Sequence, residues 1–363
     1  MTTPEGPFLV AAAQATPVFL DRDATVEKAC ALIAEAGARG ARLIAFPEAF
    51  IPAYPDWVWA VPSGQADLLA DLYARLVEQA VAIPSPATDR LCAAARQAGI
   101  YVVMGLNERN AEASGGSLYN TLLTIDDRGQ IMGKHRKLVP TAGERLVWAQ
   151  GDGATLGVYE TELGRLGGLI CWENYMPLAR YALYAWGVQL YVAATWDRGD
   201  LWLATLRHIA AEGRVYVLGV GMPLRLADLP ADLGLRERFY AGAGEWINPG
   251  GSAIVDPSGA IIAGPAHATA GVLYAAADPR LVKQLPGDDL RVAWTRMGRV
   301  HKQFIKAAES AATLAAKGEF ARARVQLHEV FSHSNELVGL LVGGSIAELL
   351  AALQTHEHML AVR

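Results

Sequence analysis

Cysteine is scarce in this 363-residue sequence, and clusters of basic side chains are missing from it. The three cysteines, Cys30, Cys92 and Cys171, are far apart and form no C-x-x-C pair. This spacing argues against a disulfide framework or a zinc ribbon and favours a reducing compartment. The formal net charge is −5, and lysine and arginine are dispersed along the chain, unlike the basic patch of a nucleic-acid-binding protein. We therefore expect no nucleic-acid partner.

Long apolar runs are also missing. The longest candidate, 337–353, is interrupted by Gly343 and Glu348, and it is too short and too polar for a membrane span. The N-terminal run 8–13 has no basic residue before it and is followed at once by Gln14, which differs from a secretory signal. We expect a cytoplasmic protein without a membrane partner.

What the sequence does contain is an alternation of strand and helix patterns. Helical periodicity over 24–36 and 86–99 places apolar residues on one face, and Gly37 is predicted to end the first helix. Turn sequences at 126–129 and 256–259 indicate hairpins. The strand-like runs are 8–13, 42–46, 101–106, 119–125, 130–138, 166–170, 188–194, 214–220, 252–262 and 271–276. This mixture predicts an α/β fold with mixed β-sheets, either two stacked sheets with helices outside or one large open sheet.

Two segments break the alternation. The stretch 222–245 contains Pro223, Pro230 and a charged run, and is predicted to be a long surface insertion. From about residue 281 the sequence becomes rich in alanine and helical in pattern. With 52% hydrophobic residues the chain can bury a large core. We predict one main domain over 8–279 and a helical, interfacial C-terminal extension over 280–363.

The segment around Cys171 carries the strongest chemical signal. The apolar run 166–170 predicts a buried strand that stops at Cys171, and Pro177 suits the first turn of a helix that continues to Trp186. A thiol at this junction is held rigidly, close to backbone N–H groups that stabilise negative charge. This placement is typical of a nucleophile.

A cysteine hydrolase also needs a base and a cation. Glu48 and Lys137 each follow an apolar strand run, and we expect both to meet Cys171 where strand ends converge. The base takes the proton of the thiol and later activates water, while the cation stabilises the developing negative charge. A Cys–His dyad with His135 or His208 is the weaker alternative. Glu173, two positions after the nucleophile, is assigned to fixing the turn.

Several segments resemble the nitrilase superfamily, and in particular its nitrilase branch. Similarity runs in order from about residue 8 to residue 278. The similar segments are Phe46-Pro47-Glu48, 136–148 (RKLVPTAGERLVW), 171–178 (CWENYMPL), Thr195-Trp196-Asp197, 207–214 (RHIAAEGR) and 245–250 (EWINPG). Amidase members of the superfamily lack this set together.

The resemblance implies a four-layer αββα sandwich and roles for four polar residues. Cys171 is the expected nucleophile, Glu48 the general base and acid, Lys137 the stabilising cation, and Glu144 a second carboxylate beside them. No step of this chemistry requires a metal ion or an organic cofactor. The expected function is hydrolysis of an organic nitrile by water to the carboxylic acid and ammonia.

Aromatic residues follow each of these motifs. The predicted substrate-binding residues are Tyr54, Trp172 and Trp196, with Trp57, Trp59 and Trp148 as further candidates. A cavity lined by such rings favours aromatic or arylaliphatic nitriles, whereas the alternative is that most of these rings belong to the core or to a subunit interface.

The resemblance also implies a homo-oligomer built from dimers that pair through the helix 178–186. An insertion like 222–245 extends some members of the family into spirals, so a filamentous assembly is a further expectation. After Asp278 the chain departs from the family pattern: it reads DDLRVAWTRMGRVH over 288–301 in place of a Gly-His-Tyr-x-Arg-Pro-Asp-like stretch. The role of the extension is therefore not implied.

Three alternatives remain open from the sequence. An amidase or carbamoylase of the same superfamily uses the same Glu–Lys–Cys chemistry. A cyanide hydratase releases an amide, because its first tetrahedral intermediate expels the thiol. A scaffold that keeps the fold without catalysis is the alternative from a different class of function.

Overall fold

The computed structural model describes residues 6–111, 114–242 and 244–284, together with isolated positions between 306 and 325. The chain divides into two compact units, and both β-sheets belong to the first, which comprises Met1–Leu183 and Gly187–Asp288. The second unit is described only at Tyr184–Trp186 and at the isolated positions, most of which are helical. The extension predicted over 280–363 therefore lies almost wholly outside the described residues, and the domain boundaries stay a prediction.

Two mixed β-sheets form the centre of the first unit. The strands are β1 (Phe8–Gln14), β2 (Ala41–Ala45), β3 (Tyr101–Arg109), β4 (Leu118–Ile125), β5 (Ile131–Arg136), β6 (Val158–Thr161), β7 (Gly164–Ile170), β8 (Leu190–Thr195), β9 (Tyr216–Gly221), β10 (Pro223–Arg225), β11 (Trp246–Val255), β12 (Ile261–His267) and β13 (Gly271–Ala277). One sheet has the order β13-β1-β2-β3-β4-β5 and the other β10-β11-β9-β8-β7-β6, with β12 paired to β11.

Helices pack around the two sheets. They are α1 (Arg22–Ala38), α2 (Trp57–Ala60), α3 (Ala66–Gln79), α4 (Pro86–Ala98), α5 (Pro177–Ala185), α6 (Asp200–Gly213), α7 (Leu235–Phe239) and α8 (Pro279–Gln284). Helices α1, α3 and α4 share a core with the first sheet, and Leu206 of α6 packs over Gly219 of the second. This arrangement confirms the predicted α/β class and the four-layer αββα sandwich. Within the described residues, no helix combines the length and apolar character needed to cross a membrane.

The alternation of side chains along β1 explains how one strand serves two cores. Val10 and Ala12 belong to the core between the sheets, whereas Ala11 and Ala13 belong to the core beneath the helices. Successive side chains of a strand point to opposite faces, so a strand buried on both faces is apolar throughout. The continuous apolar run that predicted β1 therefore reflects double-sided burial.

Strand direction brings the candidate residues to one place. Strand β2 runs parallel to β3, and β4 is antiparallel to both β3 and β5, so β2 and β5 end at the same edge of the first sheet. Glu48 follows β2 and Lys137 follows β5. Strand β7 runs parallel to β8 in the second sheet, and Cys171 follows β7.

Three sequence predictions about local structure need correction. The strand-like run 252–262 is not one strand, because it covers the end of β11, a turn and the start of β12. Gly37 does not end α1, which continues to Ala38; a Cβ at Gly37 would lie 2.8 Å from that of Ala98, so glycine permits close packing of α1 on α4. The stretch 222–245 is not a surface loop throughout. It contains β10 and α7, and its charged residues are exposed or partly exposed. Six of its larger side chains are buried: Met222, Leu224, Leu229, Leu233, Leu235 and Tyr240.

Gly105 of β3 lies in close contact with the backbone on both sides of Glu48. A Cβ at Gly105 would lie 1.9 Å from the carbonyl oxygen of Pro47 and 2.9 Å from the nitrogen of Ala49. Gly105→Ala must therefore displace backbone on both sides of Glu48, and we expect it to lower the free energy of unfolding by about 3 kcal/mol. Denaturant unfolding beside Gly64→Ala, whose added Cβ meets nothing within 4 Å, is the measurement. Equal stability of the two variants would contradict the expected clash.

Candidate active site

Glu48 is fully buried and each of its carboxylate oxygens accepts a hydrogen bond. Its Oε1 accepts from the Nζ of Lys137 at 2.9 Å and from the amide of Asn120 at 2.7 Å. Its Oε2 accepts from the backbone N–H of Trp196 at 2.7 Å, immediately beyond β8. The carboxylate is thus fixed by donors from three strand ends, two in the first sheet and one in the second.

Lys137 joins two carboxylates. Its ammonium donates to Glu48 at 2.9 Å and to Glu144 at 2.7 Å, and all three side chains are buried. Glu144 lies in a 3₁₀ turn, Ala142–Leu146, and also accepts from the backbone N–H of Thr141 at 2.7 Å and from the hydroxyl of Tyr54 at 2.7 Å. Removing Lys137 from this buried cluster would leave both carboxylates without their cation, whereas removing either carboxylate would leave Lys137 with one partner.

Cys171 occupies a strained turn between β7 and α5. It begins a 3₁₀ turn, Cys171–Tyr175, and its φ of 50° lies in the left-handed region that L-residues adopt at a cost. Ala49 and Ala142 have positive φ as well, at 50° and 42°. Cys171 is itself a predicted catalytic residue, Ala49 adjoins Glu48, and Ala142 lies two residues before Glu144, so three of the positive-φ positions outside glycine lie beside the cluster.

Glu173 holds that turn in place, the role its spacing suggested. Its carboxylate accepts from the backbone N–H of Ile170 at 2.7 Å and of Leu138 at 2.6 Å, and it lies 3.1 Å from a ring nitrogen of His135. The loop bearing Cys171 is thereby tied to the segment that carries Lys137 after β5. His135 contacts Glu173, and the side chain of His208 is 62% exposed on α6, so the geometry does not favour a Cys–His dyad.

Burial and charge shift the pKa values of the cluster in a consistent pattern. Burial raises the pKa of Glu48, against the opposing charge of Lys137. Burial and the Glu48 carboxylate both raise the pKa of the Cys171 thiol, although Lys137 acts in the other direction. For Lys137 burial alone would lower the pKa, but the carboxylate of Glu48 and its neighbours outweigh it and raise the value. These shifts favour the neutral thiol of Cys171 and the ammonium of Lys137, and they make the Glu48 carboxylate a stronger base than an exposed one.

A cavity of about 670 Å³ opens onto the cluster through Cys171 and Glu144. The predicted substrate-binding residues Tyr54, Trp172 and Trp196 all line it, and so does Trp59. Tyr54 and Trp196 stack with ring centroids 4.5 Å apart, while Trp172 is 54% exposed.

The other two candidate rings belong to the core. Trp57 packs edge-on against Phe19. The indole of Trp148 donates to Asn107. Both side chains are almost wholly buried, so spacing alone does not separate cavity rings from core rings.

Sequence reasoning missed four polar residues of this region. Asn120, near the start of β4, donates to Glu48. Asp56, Arg198 and Tyr240 line the cavity. A lone asparagine in the apolar run of β4 was the available signal for Asn120. No local sequence signal marked Asp56, Arg198 or Tyr240. The hydroxyl of Tyr240 donates to the carboxylate of Asp56, which lies 184 positions away in the chain.

Comparison with known protein families agrees with this geometry. A family model described as carbon-nitrogen hydrolase matches residues 9–286. The chain belongs to the carbon-nitrogen hydrolase family. Membership of the nitrilase superfamily, expected from the motifs around Glu48, Lys137 and Cys171, is thus confirmed.

This carbon-nitrogen hydrolase is similar in sequence to proteins named as nitrilases. An aliphatic nitrilase from Sinorhizobium fredii is 44% identical over 278 residues, which cover 75% of this chain and 86% of the relative. A bifunctional nitrilase/nitrile hydratase from Nicotiana tabacum is 43% identical over 260 residues, covering 69% of this chain and 72% of the relative.

Solved structures show the same fold. The Nit3 protein of Saccharomyces cerevisiae, a member of branch 10 of the nitrilase superfamily, aligns with a TM-score of 0.62 over 78% of this chain and 95% of its own, at 20% identity. An amidase from Nesterenkonia sp. aligns with a TM-score of 0.57 over 81% of this chain and 98% of its own, also at 20% identity. At this identity the likeness concerns the fold alone.

Proposed function

We propose that this carbon-nitrogen hydrolase converts organic nitriles and water into carboxylic acids and ammonia. The observation that carries the proposal is the buried cluster in which Lys137 bridges Glu48 and Glu144 beside a cavity that Cys171 lines. Relatives named as nitrilases, with 43% and 44% identity, support the choice of nitriles.

In the first half of the reaction, the sulfur of Cys171 adds to the nitrile carbon and the thiol proton passes to Glu48. Glu48 returns a proton to the nitrogen, which gives a thioimidate. A water molecule then adds to the same carbon, the nitrogen takes up further protons, and the C–N bond breaks with release of ammonia. A thioester on Cys171 remains.

In the second half, Glu48 takes a proton from another water molecule, which attacks the thioester carbon. The C–S bond breaks, the carboxylic acid leaves, and Cys171 recovers its proton. Lys137 and the backbone N–H of Trp172 stabilise the negative charge of the tetrahedral intermediates. Glu144 orients Lys137. Tyr54 and Thr141 hold Glu144 in place by donating hydrogen bonds to its carboxylate.

Amide release is a second candidate outcome at the same site. The intermediate formed by the first water carries both nitrogen and sulfur as leaving groups, so breaking the C–S bond first yields an amide. The Nicotiana tabacum relative is named as both nitrilase and nitrile hydratase, which supports looking for this product.

The proposal extends to substrate type. We expect aromatic or arylaliphatic nitriles to be preferred over purely aliphatic ones, because Tyr54, Trp59, Trp172, Trp196 and Trp246 line the cavity. Such rings bind flat apolar groups through offset or edge contacts.

The proposal also extends to assembly. We expect a homo-oligomer built from dimers, with spiral or filamentous assembly as a further form. Leu178 at the start of α5 is 81% exposed, which suits a helix that pairs with a second copy. A fully active monomer by light scattering would contradict this part of the proposal.

Product analysis tests the function directly. Purified protein is incubated with aromatic, arylaliphatic and aliphatic nitriles and with the matching amides, and ammonia, acid and amide are quantified. Acid from nitriles is expected, with a loss in Cys171→Ala of at least about 10³-fold because the covalent route is removed. Cys92→Ala, at a half-buried cysteine outside the cavity, serves as the matched control. Turnover of amides alone would identify an amidase, and inactivity toward both classes would favour a scaffold.

A further inference from the structure

We propose that Asp56 is a specificity-determining residue, and that the preferred nitriles carry a hydrogen-bond donor, a hydroxyl or an ammonium group, at the end remote from the nitrile. This inference rests on the proposed function, since it names a substrate class for the same cavity. Asp56 is only 8% exposed, yet it lines the cavity that Cys171 also lines.

The carboxylate of Asp56 has no role in starting its helix. Asp56 is the N-cap of α2, but its side chain forms no capping hydrogen bond, although aspartate is among the best residues for that bond. Instead it accepts from the hydroxyl of Tyr240 at 2.7 Å. The side chain therefore belongs to the cavity wall and not to the helix.

Trp196 relates this carboxylate to the catalytic cluster. Its backbone N–H binds Glu48, and its side chain lines the same cavity as Asp56 and Cys171. A nitrile attacked by Cys171 can extend its other end toward Asp56.

The chemistry of the carboxylate selects what binds there. A carboxylate offers about four acceptor positions, and the hydroxyl of Tyr240 occupies one of them. Burial raises the pKa of Asp56, opposed by Tyr240 and by the charge of Arg198, which indicates incomplete compensation for the loss of water. A donor group on the substrate supplies hydrogen bonds that this desolvated carboxylate lacks.

Other charges around the cavity disfavour an anionic substrate. Asp197 and Glu144 also line the cavity, and Arg198 lines it as a cation. The Nη1 of Arg198 donates to the carbonyl of Ile247. The carboxylates of Asp56, Asp197 and Glu144 outnumber the two cations, Arg198 and the neighbouring Lys137. This excess of negative charge favours neutral or cationic groups on the substrate over a carboxylate.

Isosteric nitriles test the inference. Pentanenitrile, 4-hydroxybutanenitrile and 4-aminobutanenitrile differ only in a terminal methyl, hydroxyl or amino group, and 3-cyanopropanoate supplies the anion. We expect the wild-type kcat/KM to be higher for the hydroxyl and amino compounds than for pentanenitrile, and lowest for the anion. In Asp56→Asn the ratio of donor to methyl substrate is expected to fall about 10- to 100-fold.

Two further variants keep the result unambiguous. Tyr240→Phe removes one donor to Asp56 but retains the carboxylate. It is expected to change the ratio of kcat/KM for donor and methyl substrates, and it provides a test if Asp56→Asn does not fold. Asp232→Asn, at an exposed side chain outside the cavity, is expected to leave the ratio unchanged. Equal kcat/KM for methyl and donor substrates in the wild type, or a ratio unaffected by both Asp56→Asn and Tyr240→Phe, would overturn the inference while leaving nitrile hydrolysis intact. Absence of turnover with every nitrile, including aromatic ones, would overturn the proposed function and this inference with it.

Discussion

Glu48→Gln is expected to slow nitrile hydrolysis by about 10²- to 10⁴-fold, the usual contribution of a general acid–base group, while lowering the pKa of the Cys171 thiol. Glutamine keeps an acceptor oxygen for Lys137 and Asn120 but cannot carry the thiol proton. After burial, the Glu48 charge is the largest influence that raises the pKa of Cys171. Its removal leaves the thiol beside Lys137 with one carboxylate fewer. A lower thiol pKa together with slower turnover would distinguish the effect of the Glu48 charge on Cys171 from the role of Glu48 in proton transfer.

The measurements for this variant are kcat and the ultraviolet absorbance of the thiolate as a function of pH. Glu108→Gln is the matched control, because Glu108 is equally buried and also accepts hydrogen bonds on both oxygens, from Lys134, Arg136 and Thr121. The control loses a similar buried charge away from the cavity, and we expect it to retain the thiol pKa and the turnover of the folded enzyme. Turnover of Glu48→Gln within about tenfold of the wild type would rule out Glu48 as the base.

Lys137→Met is expected to abolish measurable turnover and to destabilise the fold. Methionine fills much of the same space but leaves Glu48 and Glu144 facing each other without a cation. Removing one partner of a buried ion pair costs about 3 to 5 kcal/mol, and here two carboxylates lose the same partner. Chemical denaturation and nitrile turnover are the two measurements, with Lys134→Met as the control, since Lys134 pairs with Glu108 outside the cavity.

The destabilisation should depend on pH, and its sign follows from Glu48. Burial already raises the pKa of Glu48 above its ordinary value of 4.5, and Lys137 is the main opposing influence. In Lys137→Met the pKa of the folded state therefore rises further. Above about pH 4.5 the unfolded chain releases the proton first, so stability is lost progressively until the pH passes the folded pKa. The gap in unfolding free energy between wild type and variant should thus be larger near about pH 8 than near about pH 5. A gap that does not change with pH would contradict this account.

The sequence alone was sufficient to predict most of the strands and the polar residues that follow three of them. Glu48 and Cys171 directly follow apolar runs, and a polar residue at such a place contrasts with its surroundings. Strand β5 was equally recoverable from its hairpin with β4. The pairing of the two sheets was not recoverable in this way, because periodicity describes one strand at a time and is the same in an open sheet. The family resemblance resolved that alternative.

Other features depend on contacts between distant segments and left no mark in local sequence. Gly37 has the pattern of a helix end, but its function is to admit Ala98 of a neighbouring helix. The stretch 222–245 has the composition of a loop, yet Tyr240 reaches Asp56 across the cavity. Local composition reports average polarity, whereas burial depends on which side chains the topology brings together.

The division of the candidate site between the two sheets has a consequence for folding. Glu48 and Lys137 are placed by the first sheet, and Cys171 and the backbone of Trp196 by the second. No single sheet contains the whole set, and the strained backbone at Ala49, Ala142 and Cys171 is maintained by the packing around it. Cys171 and Glu48 therefore come together only when the two halves of the sandwich dock, so the proposed catalysis depends on the complete fold.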